Sequence, residues 1–214
     1  MATALEFLAR ERCSAILRTD LADAVEPAMQ AAVTGGFRVV EVTLTTPRAL
    51  EVIAQLSRQS DLLVGAGTVL TPADAEAAHY AGARFLVSPV VDDRVIRYAV
   101  AHDLVAVPGC YTPTEMLAAH RAGAQIVKLF PGPADGPGHV RACLGPLPFL
   151  RIFPTSGVTE TNAAAHLEAG AFGVGFVGSL FEPADLAAGD FERIRQRAER
   201  MVEAVRSAGP WRGE

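Results

Sequence analysis

The sequence predicts an α/β protein: a (β/α)8 TIM barrel in a single domain, preceded by a short N-terminal helix. Ala-rich amphipathic segments alternate along the chain with short apolar runs of strand length. In the clearest repeats a glycine separates the helix from the next strand, where a left-handed helix cap is needed. Eight such units, about 20–25 residues apart, fit within the 214 residues and would close into a barrel.

The elements follow in order. The first residues, MATALEFLARER, have the spacing of a short amphipathic helix and lack the long apolar segment of a signal peptide. Four clear helix–glycine–strand repeats occupy residues 32–44, 79–89, 120–131 and 167–178. Four weaker strands fit the gaps at residues 13–18, 61–67, 103–109 and 150–157. Threonine caps predict helix starts in residues 45–47, 70–76, 111–116 and 158–164. Residues 190–206 are predicted to form a charged closing helix.

Strands that alternate with helices predict a parallel sheet covered by helices. An open, doubly wound sheet is the alternative, but no G-x-G-x-x-G motif follows the first strand. No linker or low-complexity tract interrupts the chain, so we expect residues 1–214 to form one domain.

Composition narrows the classes of function. A net charge of −5 argues against a general nucleic-acid binder, and no apolar run approaches the roughly 20 residues of a membrane span. Cys13, Cys110 and Cys143 are odd in number and have no metal-like spacing, so we expect no disulfide framework and a cytoplasmic location. The expected partner is therefore a small molecule, not nucleic acid or membrane.

Two ionisable residues stand inside apolar strands. Lys128, in QIVKLFP, is the only lysine among 19 basic residues, and Glu41 stands in RVVEVTL. Each alternates with apolar neighbours and so faces the opposite side of its strand. Because an isolated buried charge is very unfavourable, both must be paired, neutralised or functional. A buried structural salt bridge is the simple explanation.

The functional explanation is nucleophilic catalysis. Burial lowers the pKa of a lysine from its usual value of about 10.4, and the neutral amine can form a Schiff base with a ketone. The protonated imine then withdraws electrons from the adjacent C–C bond, while Glu41 transfers protons as general acid and base. This chemistry needs no metal or other cofactor. A solvated surface role is expected for the five histidines, His79, His102, His120, His139 and His166.

Six motifs resemble the class I aldolases of the 2-keto-3-deoxy-6-phosphogluconate (KDPG) and 4-hydroxy-2-oxoglutarate (KHG) type. The motifs are VEVTL–TP (40–47), VGAGTVLTP (64–72), VSP (87–89), PGCYTPTE (108–115), VKLFPG (127–132) and PTSGV (154–158). The resemblance implies a homotrimeric barrel that reversibly cleaves a 2-keto-4-hydroxy acid to pyruvate plus glyceraldehyde 3-phosphate or glyoxylate. It implies that Lys128 is the Schiff-base residue and Glu41 the general acid/base.

The resemblance also implies substrate contacts. Thr68 would contact the pyruvyl part, Pro89 and Phe130 would line the pocket, and Thr155 would contact the hydroxyl region. The sequence departs from the KDPG pattern at Thr45, where that type carries an arginine for the carboxylate. Arg18, in an AILR motif like that of the phosphogalactonate aldolases, is a bidentate replacement, with a surface arginine as the alternative.

A second departure concerns phosphate. The chain has Thr155-Ser156-Gly157 where the KDPG type often has Thr-Gly-Gly, and the next strand ends at Gly178-Ser179. Backbone N–H groups of these two loops form the usual phosphate site of barrels, although the same residues also suit tight turns. The alternatives are therefore a 2-keto-3-deoxy-6-phosphogalactonate aldolase or, more remotely, a sugar-phosphate isomerase or epimerase, or a non-catalytic binding barrel.

Overall fold

A computed structural model describes residues 3–211 as an alternation of strands and helices. The strands are β1 Cys13–Leu17, β2 Val39–Thr43, β3 Leu63–Gly67, β4 Phe85–Val87, β5 Val105–Val107, β6 Gly109–Cys110, β7 Val127–Leu129, β8 Ile152–Pro154 and β9 Val174–Phe176. The helices are α1 Ala4–Glu11, α2 Val25–Thr34, α3 Ala49–Leu56, α4 Pro72–Tyr80, α5 Asp93–Ala101, α6 Pro113–Arg121, α7 Gly136–Leu144, α8 Ala163–Glu168, α9 Pro183–Ala188 and α10 Phe191–Ser207. A 3₁₀ turn, Ala22–Ala24, leads into α2.

The strands form two parallel sheets, which confirms the predicted α/β class. One sheet has six strands in the order β5-β4-β3-β2-β1-β9, and the other has the order β6-β7-β8. The ladders therefore do not form the single closed set of eight strands that the sequence predicted. The fifth predicted strand is divided between the sheets at Pro108, which has no N–H to donate to a ladder.

The inward faces of strands from both sheets meet in one apolar cluster. Its members are Leu8, Val39, Leu63, Phe85, Val87, Val105, Val107, Ile126, Phe153 and Phe172. Leu8 comes from α1, the predicted N-terminal helix, whose start is fixed by a capping box between Thr3 and Glu6. The outward strand residues, such as Val40 and Val42, pack in a larger cluster with the helices.

Two glycines of β3 make room inside this interior. A Cβ at Gly65 would collide with the ring of Phe85, and one at Gly67 would collide with the carboxylate of Glu41. Both glycines lie opposite β2 in the ladder, where Gly65 is in register with Glu41. The GAG segment of β3 therefore accommodates the buried acid.

The predicted helix ends are confirmed in the repeats. Gly36, Gly82, Gly123 and Gly170 all have left-handed φ angles between +101° and +108°. Capping boxes at Thr71 and Thr112 begin α4 and α6.

Two of the predicted threonine caps are wrong. Helix α3 begins after Arg48, because the hydroxyl of buried Thr46 is engaged by Thr43 and donates to the Leu17 carbonyl. Before α8, Asn162 makes no side-chain cap and instead accepts a hydrogen bond from the N–H of Thr159.

The remaining features differ in part from expectation. The closing helix is confirmed as α10, and the three cysteines are buried and free within residues 3–211. His166 is not a solvated surface residue: it is buried in α8. None of the helices described between residues 3 and 211 is long and apolar enough to cross a membrane.

Candidate active site

Lys128 and Glu41 are both buried in the interior formed by the strands. Their exposed fractions are 6% and 2%. Lys128 lies in the middle of β7, in register with Gly109 and Phe153, while Glu41 lies in the middle of β2 between β1 and β3. No ion pair within residues 3–211 joins the two side chains. The simple explanation, a direct structural salt bridge, therefore does not account for them.

Burial shifts the pKa values of Glu41 and Lys128 in opposite directions. Burial raises the pKa of Glu41 above its ordinary value, while the charges of Lys128 and Arg18 act to lower it. Burial also lowers the pKa of Lys128, assisted by Arg18 and opposed by Glu41. Burial thus shifts each group toward its neutral form, and the charge of each group opposes that shift in the other.

The Lys128 amine opens into a cleft of about 300 Å³ at the carboxyl ends of β1, β7, β8 and β9. Its lining contains seven of the predicted binding residues: Arg18, Phe130, Thr155, Ser156, Gly157, Gly178 and Ser179. The Nζ atom of Lys128 lies 4.9 Å from the centroid of the Phe130 ring. The cleft thus brings together the predicted Schiff-base lysine and seven of the nine predicted binding residues.

Thr68 joins the site through Arg18. The Nη2 atom of exposed Arg18 donates to the Thr68 hydroxyl oxygen at 3.2 Å. Thr68 has a left-handed φ of +58°, which is unusual for a β-branched residue and is typical of constrained functional positions. The arginine at the mouth of the cleft is therefore oriented by the loop after β3, two strands away from β1.

Pro89 and Glu41 lie outside the cleft lining. Pro89 is half-buried, and its carbonyl group packs so closely against Gly109 that a Cβ there would collide with it. Glu41 instead lines a second cavity of about 10 Å³ together with Thr155, and its carboxylate lies beside Gly67 at the carboxyl end of β3. Thr155 lines both cavities and so lies between them.

Several lining residues were not predicted from the sequence. The cleft is also lined by Ile16, Val158, Thr159 and Val177, and the second cavity by Ser14. Period-two alternation along β1 places Ser14, Ile16 and Arg18 on one face, so this signal was present in the sequence.

The loops after β8 and β9 form one wall of the cleft. The Ser179 hydroxyl donates to the Val158 carbonyl at 2.7 Å and so holds the two loops together. Gly157 has a φ of +77°, which favours glycine. Four N–H groups of these loops donate to no protein acceptor within the described part of the chain: those of Ser156, Gly157, Gly178 and Ser179. Such free backbone donors are suited to an anion.

This arrangement predicts an unusually reactive amine. Because burial lowers the pKa of Lys128 below the ordinary 10.5, its neutral form should persist at lower pH than that of an exposed lysine. Reductive methylation with formaldehyde, followed by peptide mass mapping over a pH series, should show Lys128 reacting with a midpoint clearly below that value. The N-terminal amine serves as internal control. A midpoint at the ordinary value would show that the amine is not held in a dry site.

The chain resembles known proteins along most of its length. The family model described as KDPG and KHG aldolase matches residues 6–197. The 2-dehydro-3-deoxy-6-phosphogalactonate aldolase of Escherichia coli K12 is 36% identical over 197 residues, covering 91% of this chain and 94% of that protein. The 2-dehydro-3-deoxy-phosphogluconate aldolase of Treponema pallidum is 35% identical over 211 residues, covering 96% and 99%.

Solved structures agree with these matches. A structure described as native KDPGal has a TM-score of 0.84 and 34% identity, covering 92% of this chain and 95% of that one. The KDPG aldolase of Legionella pneumophila, with pyruvate captured as a covalent carbinolamine, has a TM-score of 0.80 and 26% identity, covering 94% and 98%. With a family match over residues 6–197 and relatives more than 30% identical, the chain belongs to the KDPG and KHG aldolases, a family of lyases.

Proposed function

We propose that the protein is a class I aldolase that cleaves a phosphorylated 2-keto-3-deoxy-4-hydroxy acid reversibly to pyruvate and glyceraldehyde 3-phosphate. The observation that carries the proposal is a single lysine, buried but open to a cleft, with a buried acid nearby that forms no ion pair with it. The Legionella relative, captured with pyruvate as a covalent carbinolamine, supports the same chemistry for this chain.

The reaction begins at the ketone. The neutral Lys128 amine attacks C2 to give a carbinolamine, and the protonated carboxyl group of Glu41 donates a proton to the departing hydroxyl, which leaves as water. The product is a protonated imine at C2. Because Glu41 does not itself line the cleft, its protons pass to the substrate through water in this scheme.

Bond cleavage follows from the imine. The Glu41 carboxylate takes the proton of the C4 hydroxyl, the C3–C4 bond breaks, and its electrons flow into the imine to form an enamine. The aldehyde is released, C3 is protonated by Glu41, and water hydrolyses the imine to give pyruvate and the free amine. No metal or other cofactor takes part in this scheme.

Arg18 is proposed to hold the substrate carboxylate, in the role that the KDPG type assigns to an arginine at the Thr45 position. Arg18→Ala should therefore raise KM for the keto acid by roughly 10- to 100-fold, since charge-assisted hydrogen bonds contribute about 1.5–3 kcal/mol. Arg97→Ala, which removes an exposed arginine of α5, is the matched control. Unchanged saturation kinetics in Arg18→Ala would remove Arg18 from the site.

The free N–H groups of the β8 and β9 loops support a phosphorylated substrate. Identities of 36% and 35% to a phosphogalactonate and a phosphogluconate aldolase do not distinguish the two C4 epimers. KDPG is the first candidate substrate. The AILR motif, which is like that of the phosphogalactonate aldolases, makes the galactonate epimer the second candidate. The deciding test is kcat/KM for KDPG, its galactonate epimer and unphosphorylated KHG. A preference for KHG would contradict phosphate binding by these loops.

The architecture is part of the proposal. Because strands of both sheets share one inner apolar cluster, we propose that the sheets are two parts of one closed (β/α)8 barrel in a single domain. Its expected assembly is a homotrimer, by family resemblance, which sedimentation velocity tests. Three free, buried cysteines support a cytoplasmic location.

A further inference from the structure

A buried ion pair lies next to the loop that follows β9. Arg197 of α10 and Asp185 of α9 are only 6% and 3% exposed, and Nη2 of the arginine donates to Oδ2 of the acid at 2.6 Å. Glu182 lies 3.2 Å from the same nitrogen, and Arg193 lies 3.5 Å from the other oxygen of Asp185. Because two acids balance two arginines, the cluster presents little net charge to a ligand in the cleft. Any effect on the cleft must pass through the local backbone.

The guanidinium group of Arg197 reaches that backbone. Its Nη1 atom donates to the carbonyl group of Leu180 at 2.7 Å, and Leu180 is fully buried. No other donor within residues 3–211 reaches this carbonyl. Since a buried carbonyl without a donor destabilises the fold, Arg197 stabilises the conformation of the chain at this point.

Leu180 closes the turn that carries two of the free N–H groups in the cleft. The N–H groups of Leu180 and Phe181 both donate to the Val177 carbonyl, at 3.1 and 2.9 Å. Gly178 and Ser179 lie inside this turn and line the cleft. A Cβ atom at Gly178 would meet nothing within 4 Å, so packing does not hold the turn on that side. Its conformation therefore depends on its hydrogen bonds.

We infer that Arg197 and Asp185 are positioning residues for the substrate phosphate. Asp185 fixes the guanidinium group, the guanidinium group fixes the Leu180 carbonyl, and the turn then keeps the N–H groups of Gly178 and Ser179 in place for the anion. Two separate nitrogen atoms serve two acceptors, which suits the planar fork of arginine. The inference rests on the proposed function, because this turn affects the reaction only if the substrate carries a phosphate group.

The double variant Arg197→Met/Asp185→Leu separates positioning from stability. A buried ion pair can be replaced by apolar side chains with little loss of stability, so the variant should fold. It lacks the donor to Leu180, so kcat/KM for the preferred phosphorylated substrate should fall about tenfold, the weight of one hydrogen bond. The value for unphosphorylated KHG should stay within about twofold, and competitive inhibition by inorganic phosphate should weaken about tenfold.

Arg197→Lys tests the same point without removing the charge. Its ammonium group can pair with Asp185, but a single nitrogen does not span both acceptors, so the preference for the phosphorylated substrate should fall here too. The matched control is Arg195→Met. Arg195 lies on the same helix and pairs only with Glu192 and Glu199 of that helix, so its loss should leave both substrates and phosphate inhibition unchanged.

A purely structural ion pair gives a different result. Both Arg197 variants would then keep the wild-type ratio of kcat/KM for phosphorylated and unphosphorylated substrates, or would lose activity toward both equally, and either result would overturn the inference. A wild-type protein that neither prefers a phosphorylated substrate nor is inhibited by phosphate would refute the phosphate site itself, and the inference with it. Should the wild type show no aldolase activity, calorimetric titration with inorganic phosphate still decides: binding that is unchanged in the double variant overturns the inference.

Discussion

Lys128→Met should abolish aldol cleavage, lowering kcat by at least about 10⁴-fold, because the chemistry depends on one nucleophile. The other eighteen basic residues are arginines, which do not form imines, so no neighbouring side chain can take over. Methionine has a similar length and needs no desolvation of a charge, so we expect the folded state to be as stable as that of the wild type. Pyruvate release measures activity, and thermal unfolding followed by circular dichroism measures stability.

Lys128→Arg separates nucleophilicity from charge. It keeps a cation on β7 and should be as inactive as Lys128→Met. The control is Arg97→Ala, on the exposed face of α5, which should keep wild-type kinetics. Residual activity above about one hundredth of the wild-type kcat in either Lys128 variant would show that the imine is not the route.

Glu41→Gln should lower kcat by roughly 10²- to 10⁴-fold, the usual contribution of a positioned acid or base. The amide keeps the shape of the side chain in the space that Gly67 provides but neither donates nor accepts the required proton. The positive contribution of Glu41 to the pKa of Lys128 also disappears, so the amine stays neutral to still lower pH. The variant should therefore still be trapped with pyruvate, although slowly.

Glu51→Gln is the matched control, since Glu51 is an exposed glutamate of α3 paired with Arg48. It should leave both turnover and trapping unchanged. The role assigned to Glu41 fails if Glu41→Gln turns over within about tenfold of the wild type.

The sequence predicted the parts of this fold that depend on local chemistry. Alternation within single strands was enough to place Lys128 and Glu41 on the inner face, where the structure has them buried. Left-handed glycines such as Gly82 and Gly123 were predictable because few other residues tolerate that conformation.

Features that depend on contacts between distant elements were not predictable in this way. Pro108 breaks a ladder that the apolar pattern alone predicts as continuous. Thr46 was expected to cap a helix, but its burial beside Thr43 and the Leu17 carbonyl redirects its hydroxyl.

The most direct measurement of the central claim is reductive trapping of the wild-type protein with pyruvate and sodium borohydride, followed by intact-mass analysis and peptide mapping. The account predicts complete loss of activity together with one covalent pyruvate-derived addition, located on Lys128. An unmodified Lys128 after exposure to saturating pyruvate and borohydride, with activity retained, would contradict it.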